Sequence, residues 1–244
     1  MDNYKEFKEY LEEIFSKEDL TVDEIKIRQF YKYYLLLVDW NKRMNLTGIT
    51  EMKDVVVKHF LDSVILTKYF RFKNGDKIGD VGTGAGFPGI PLAIMLPNCE
   101  FFLADALEKR IRFINEVIKE LELTNCTTAH GRAETIGRDP KYREQFNAVT
   151  TRAVASLPVL LEYSSPLLKM GGRFFAYKGP AFEEELDTSG KAQRELNLVA
   201  KDQVTFEISK CDLGFRSILS FQKTGTLKSK YPRREGIPGK KPIL

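Results

Sequence analysis

Ile78-Gly79-Asp80-Val81-Gly82-Thr83-Gly84-Ala85-Gly86-Phe87-Pro88-Gly89 reads as a strand that breaks into a glycine turn and re-emerges as a helix. Glycine permits positive φ and a close approach of backbone to a ligand. The loop that follows a strand in an open α/β sheet is where such sheets bind small molecules. Outward from this stretch, the chain beyond Lys77 alternates short apolar runs with amphipathic segments, the pattern of a parallel sheet with helices on its faces. Strands are predicted at Lys77–Val81, Glu100–Asp105, Cys126–His130, Ala148–Thr151 and Arg173–Tyr177, and helices near Ile90–Met95, Lys109–Glu120, Val159–Met170 and Glu183–Ala200. Two later runs, Gln203–Ser209 and Ser217–Gln222, lie close enough in sequence to pair as an antiparallel hairpin.

Upstream the spacing is helical. Tyr4, Phe7, Tyr10, Leu11, Ile14 and Phe15 share one face, Thr21 is placed to cap a run carrying Ile25, Phe30, Tyr34, Leu37 and Val38, and a third run extends from Val55 to Tyr69. The predicted organisation is a helical cap over residues 1–75, an α/β domain over 76–224 and a basic Pro/Gly-rich tail over 225–244.

A chain of 244 residues buries a core without help from a disulfide or a metal. Apolar stretches such as Leu35–Val38 are far too short to span a bilayer, and no secretory leader is expected, because Met1 is followed by acidic and aromatic residues. Cys99, Cys126 and Cys211 form no C-x-x-C pair, and His59 and His130 are the only histidines. A zinc site or disulfide framework is therefore not expected, and the cytoplasm is the expected compartment. The net charge of +4 is unevenly spread, since from Lys223 to Leu244 seven basic residues face Glu235 alone. Such a tail on a near-neutral body suggests a polyanion contact, separate from the ligand loop and without influence on cofactor affinity. A solvated terminus would have the same composition.

Two chemistries compete for the glycine loop. Gly84, Gly86 and Gly89 satisfy G-x-G-x-x-G, so a dinucleotide is formally possible, with Asp105 at the end of the second strand holding a ribose in either case. Asp80 tilts the choice, because a carboxylate before the turn suits an ammonium or sulfonium group and repels a pyrophosphate. This favours S-adenosylmethionine over NAD; a glycine turn without any ligand is the third reading. His130-Gly131-Arg132-Ala133-Glu134 ends the third strand, where the backbone of Ala133 and Glu134 would face an adenine. Glu134 serves equally well as a first-turn acid for the next helix.

Several separate motifs in one order now carry a resemblance. Trp40-Asn41-Lys42, Asn45-Leu46-Thr47, His59 with Leu61-Asp62-Ser63, the Asp80–Pro91 stretch, Asp105 with Lys109-Arg110, Arg132-Ala133-Glu134, Arg152-Ala153, Lys178-Gly179 and Tyr231-Pro232-Arg233 through Pro242 span nearly the whole chain. In these the chain resembles the glucose-inhibited division protein B family of bacterial small-subunit ribosomal RNA methyltransferases. The resemblance implies a class I, Rossmann-like methyltransferase fold with a seven-stranded, mostly parallel sheet. It also implies methyl transfer from S-adenosylmethionine to N7 of a guanine in 16S ribosomal RNA, with cofactor contacts at Gly82, Phe87, Ala133, Glu134 and Arg152. The sequence departs from the family's usual pattern at Ala106 and Asn147, neither of them in the glycine loop.

Guanine N7 carries a lone pair, so alignment rather than deprotonation is what the enzyme must supply. Arg152 and Lys178, at the ends of the fourth and fifth strands, and Asn45 in the cap are the candidates for positioning. RNA contacts are expected at Arg132, His59, Arg216, Arg233, Arg234, Lys240 and Lys241, because a guanidinium can bond bidentately to phosphate or to guanine. Plainer readings stand beside these: exposed strand-end charges, a helix-capping turn at Asn45-Leu46-Thr47, a structural His59–Asp62 pair, and Trp40 in the core. No cysteine lies where a pyrimidine C5 methyltransferase would need its nucleophile, and Thr151-Arg152-Ala153-Val154 replaces the Asp/Asn-Pro-Pro-aromatic loop of amino-group methyltransferases. An NAD-linked oxidoreductase would use the same loop, and a non-catalytic RNA-binding module would leave Asp80 and Asp105 without purpose. The expected partner is 16S ribosomal RNA or the small subunit, with no membrane, no metal and a monomeric chain.

Overall fold

The computed structural model describes residues 3–180, 182–207 and 215–244. Among them, seven strands form one sheet in the order β3-β2-β1-β4-β5-β7-β6: β1 Lys77–Val81, β2 Glu100–Asp105, β3 Cys126–His130, β4 Phe146–Arg152, β5 Leu168–Lys178, β6 Leu198–Glu207 and β7 Phe215–Lys223. The first five run parallel, and β7 enters antiparallel between β5 and β6. The strand order reverses between β1 and β4, so the loops leaving their carboxyl ends diverge and open a crevice there. The predicted hairpin is β6–β7; the residues joining its strands, and Ser209 of the predicted strand, lie outside the described residues.

The amino-terminal helices are α1 Asn3–Ser16, α2 Glu24–Met44, α3 Met52–Val55, a π-helical turn Val56–Leu61, α4 Asp62–Val64 and α5 Leu66–Tyr69. They cover one face of the sheet together with α6 Gly89–Met95 and α7 Glu108–Glu120. The core on this side is aromatic: Tyr33 of α2 stacks between Phe60 and Phe87 at 5.5 and 5.3 Å, and its hydroxyl donates to the carbonyl of Ala85 in the glycine loop. The cap therefore reaches the ligand loop directly. The other face is covered by α8 Ala133–Arg138, α9 Leu157–Ser164, α10 Phe182–Thr188 and α11 Gly190–Glu195, and by Leu227, Tyr231 and Ile243 of the carboxyl-terminal segment, which ends beyond α12 Ile237–Lys240.

Three local expectations are corrected. The helix expected over Val159–Met170 stops at Ser164, because Pro166 has no N–H to continue it and Leu168 pairs with Phe146 as the start of β5. The helix expected over Glu183–Ala200 breaks at Ser189–Gly190 into α10 and α11, and Leu198 already pairs with Lys223 in the sheet. Asp23, rather than Thr21, caps α2, its Oδ1 accepting the Lys26 N–H at 2.9 Å.

One glycine fixes how α6 meets the sheet. A Cβ at Gly89 would overlap the Leu103 side chain on β2 and come 2.7 Å from Asp80 Oδ2. Gly89→Ala should therefore cost about 1–3 kcal/mol through overpacking. A thermal scan should show the melting temperature lowered by about 2–4 °C per kcal/mol; an unchanged melting temperature would contradict this packing.

Candidate active site

The glycine loop leaves β1 at the switch point with an unmet demand. Asp80 is fully buried; its Oδ2 accepts the Gly89 N–H at 2.9 Å. Asp80 Oδ1 and the nearby Thr83 hydroxyl have no hydrogen-bond partner among the described residues. Burial pushes the Asp80 carboxyl up to about 7, with the Gly89 N–H and the charge of Arg152 offsetting only part of the effect. A buried acceptor left without a donor costs about 1–3 kcal/mol, more when charged. The turn above it packs against Val154 at Gly82 and against Tyr33 at Gly86 but is open at Gly84, which has φ +61 and where a Cβ would meet nothing within 4 Å. A carboxylate with one oxygen lacking a donor, beneath a glycine turn, fits the ammonium end of an amino-acid-like ligand and not a pyrophosphate.

Asp105 sits beside the turn at the end of β2. Its Oδ2 accepts the Gly84 N–H at 3.0 Å and Arg110 Nη1 at 3.3 Å, and its Oδ1 accepts the Leu107 N–H at 2.9 Å. A carboxylate has about four acceptor positions, so Asp105 can brace the loop and still receive a hydroxyl. Glu134, in the first turn of α8, is buried, and its Oε1 accepts the Gly236 N–H at 2.9 Å and the Tyr163 hydroxyl at 3.4 Å.

On the other side of the switch point, Arg152 ends β4. Its Nη1 donates to the Lys58 carbonyl at 3.1 Å and to Asp62 Oδ2 at 2.7 Å, its Nη2 donates to His59 Nδ1 at 3.2 Å, and its Cζ lies 5.0 Å from the centre of the Phe87 ring. The Phe87 ring is also stacked with His59 at 4.4 Å. His59 Nδ1 lies 3.2 Å both from Arg152 Nη2, which only donates, and from the Lys58 carbonyl, which only accepts, and its Nε2 lies 2.8 Å from Thr47 Oγ1. Burial and the charge of Arg152 lower His59 to about 3, which keeps the ring neutral. The segment carrying Lys58 and His59 is the π-helical turn, a form that concentrates at functional sites.

Of these, Lys58, His59, Asp62 and Arg152 line an open cavity of about 420 Å³ together with Tyr177, Lys178, Glu185 and Arg216. Lys178 Nζ donates to Glu185 Oε2 at 2.6 Å and to the Ala155 carbonyl at 3.1 Å, and Glu185 also caps α9 through the Leu157 N–H. Arg216 is the least committed cation lining the cavity, its Nε 3.7 Å from Asp62 Oδ1. The lining holds four cations, Lys58, Arg152, Lys178 and Arg216, against Asp62 and Glu185, so the cavity is positive and suited to an anionic polymer.

The structure thus brings together Arg152, Lys178, His59, Arg216 and Phe87 and leaves other expected site residues apart. Asn45 lies outside the cavity, exposed at the carboxyl end of α2 with φ +47; Thr47, two residues on, reaches the site through His59. The direct His59–Asp62 pair is replaced by a bridge, since both side chains bond to Arg152. Arg132 is exposed and faces Glu235 at 3.5 Å. Arg233 is turned inward onto Glu162, whereas Arg234, Lys240 and Lys241 are exposed. Asp62, Thr47 and Glu185 escaped the sequence reading as site residues. Their partners lie 90, 12 and 7 positions away, and of these three links only Asp62, a turn after His59, left any local trace.

Comparison with known proteins gives this arrangement its context. The family model described as rRNA small subunit methyltransferase G matches residues 26–211. The chain belongs to this family. It is 48% identical over 219 residues to the ribosomal RNA small subunit methyltransferase G of Desulfitobacterium hafniense, covering 90% of each chain. It is 43% identical over 221 residues to that of Clostridium tetani, covering 91% of this chain and 92% of the relative. Among solved structures, a SAM-dependent methyltransferase from Aquifex aeolicus shares the fold with a TM-score of 0.52 at 18% identity, covering 70% of this chain and 93% of that one. The YcgJ protein of Bacillus subtilis does so with a TM-score of 0.54 at 14% identity, covering 69% and 100%. The family's activity is that of an enzyme, and the fold is the Rossmann-like methyltransferase fold that the resemblance implied. Among the described residues no helix is long and apolar enough to cross a membrane, and no cluster of three or more His, Cys, Asp or Glu side chains is placed to hold a metal.

His59 makes a pH signature. The unfolded chain takes up a proton at this residue near pH 6.5, while the native ring refuses one until about pH 3. Its contribution is complete above pH 6.5 and is lost as the pH falls toward 3. Unfolding free energies from urea titrations between pH 7 and 4 should fall less steeply for His59→Gln than for the parent, by up to about 1.4 kcal/mol per pH unit. Parallel curves for the two proteins would show that His59 is solvated.

Proposed function

We propose that this protein transfers a methyl group from S-adenosylmethionine to N7 of a guanine in 16S ribosomal RNA, as a monomer in the cytoplasm. The observation that carries the reading is the pairing, at one switch point, of Asp80 under its open glycine turn with the positive cavity around Arg152. S-adenosylmethionine supplies an electrophilic methyl group when bound. Asp80 is assigned to its ammonium, Asp105 to its ribose, Gly82, Gly84, Gly86 and Phe87 to the turn that encloses it, and the Ala133–Glu134 backbone to its adenine.

Cations in the cavity then orient the target nucleotide. A guanidinium bonded bidentately to O6 and N7 would occupy the nucleophile's own lone pair. Arg216 and Lys178 are therefore assigned to phosphate and O6, and Arg152 to holding the cavity wall against Phe87. Beyond the cavity, Arg132, Arg234, Lys240 and Lys241 extend a charged path for the RNA backbone. Cysteine chemistry has no support in the two thiols described: Cys99 is buried, and burial pushes Cys126 up to about 12, so neither is a thiolate.

Two experiments test this reading. Small-subunit RNA from cells lacking the protein, incubated with it and tritiated S-adenosylmethionine, should be labelled at one guanine. The same RNA with 7-deazaguanine there should take up none, and label at the deaza base would exclude N7. Calorimetry with S-adenosylhomocysteine from pH 5.5 to 8.5 should show affinity rising with pH until about 7 and then levelling, since Asp80 must lose its proton to pair with an ammonium. Asp80→Asn should bind more weakly and without that rise; a pH-dependent rise that survives in the variant would place the ammonium elsewhere.

A further inference from the structure

The carboxyl-terminal segment is strapped to one small element. Glu162 on α9 is fully buried; its Oε1 accepts the Arg233 backbone N–H at 2.8 Å and Nε at 2.9 Å, while its Oε2 accepts Nη2 at 2.6 Å. One residue of the segment thus satisfies both oxygens of a carboxylate that has no access to water. Three positions on, Gly236 has φ +72 and aims its N–H at Glu134 Oε1, 2.9 Å away. Between them Glu235 accepts the Thr135 hydroxyl and faces Arg132. Arg143 and Arg138 bond the carbonyls of Tyr231 and Lys230 at 2.8 and 3.2 Å. These anchors lie on α8, on its flanks, or on α9 packed against it.

Helix α8 is six residues long, too short to hold its own geometry without tertiary support. It starts at Arg132-Ala133-Glu134, and Glu134 is tied to the strap at 2.9 Å, with the Tyr163 hydroxyl of α9 farther off at 3.4 Å, rather than to the sheet. The strap therefore fixes where that turn sits. This reverses the expectation that the basic tail acts separately from the cofactor site.

We propose that the strap from Tyr231 to Gly236 is a positioning element for the cofactor site. Through Glu162 and Glu134 it holds the Arg132–Glu134 turn in register with the adenine, so that Arg233 and Gly236 set the site's base selectivity from the far end of the chain. This rests on the assignment of that turn to the adenine. Without the Arg233 guanidinium the buried Glu162 loses its charged partner, and the turn loses its outer support.

The test compares S-adenosylhomocysteine with S-inosylhomocysteine on the full-length protein by calorimetry. The two differ only at the base edge that backbone amides and carbonyls would read. Partial unfolding weakens both ligands equally, so the ratio of their affinities responds to the turn and not to overall stability. The parent should prefer the adenosyl ligand, and Arg233→Gln should cut that preference by up to about tenfold, with Arg233→Lys retaining part of it. Gly236→Ala provides a second route should Arg233→Gln not fold. A Cβ there meets nothing within 4 Å, so the substitution strains only the turn that aims the N–H at Glu134. A parental ratio preserved in the folded variants overturns the positioning role. A parent that does not distinguish the two ligands overturns the adenine assignment, and the proposal with it.

Discussion

Arg152 is where the separate parts of this molecule meet. It ends β4, so the sheet fixes its backbone. Its side chain is held by acceptors from the helical cap, the Lys58 carbonyl, His59 Nδ1 and Asp62 Oδ2, and it lies against Phe87 from the glycine loop. A guanidinium cannot give up its charge, and one this little exposed would be costly without that set of partners. The cap must therefore dock in the one orientation that delivers all three acceptors. Docking brings Tyr33 onto Phe87 and its hydroxyl onto Ala85, which fixes the loop from the other side.

The same constraint explains how the cavity can be positive without being unstable. Asp62 is shared by Arg152 and Arg216, and Glu185 serves Lys178 and the amino terminus of α9 together. Each carboxylate thus answers more than one donor, and positive charge is left over. An arriving phosphate would exchange partners with a cation that is already desolvated and oriented. The reorganisation that normally accompanies binding of an anion is smaller for that reason.

Much of the frame is legible in the sequence because it is punctuated locally. β1, β2 and β3 begin and end where expected, since glycine, proline and charged residues bracket each short apolar run. The helix errors come from segments whose composition permits a helix but whose pairing decides otherwise: Leu168 and Leu198 are claimed by the sheet. Motif residues such as Asp80 and Asp105 are readable because the turn between them is local. The pairings of Glu162 with Arg233 and of Asp62 with Arg152 are not, because 71 and 90 positions separate the partners and nothing local links one member to the other.

The state of the cavity's titratable groups bears on the kind of nucleophile it suits. His59 is neutral, its Nδ1 engaged by Arg152 and the Lys58 carbonyl and its Nε2 by Thr47. Asp62 is engaged by Arg152 and lies close to Arg216, and Glu185 is engaged by Lys178 and the backbone. Among the described residues that line the cavity, then, each of these potential bases is already tied to a partner. A hydroxyl or an exocyclic amine acting as methyl acceptor must lose a proton, and such a site would be poorly arranged to take it. An acceptor with a ready lone pair needs only to be held in line while the surroundings stay fixed. Partnered acidic and histidine side chains around an open, positive cavity are what that second kind of acceptor requires, and a guanine presented through N7 is one.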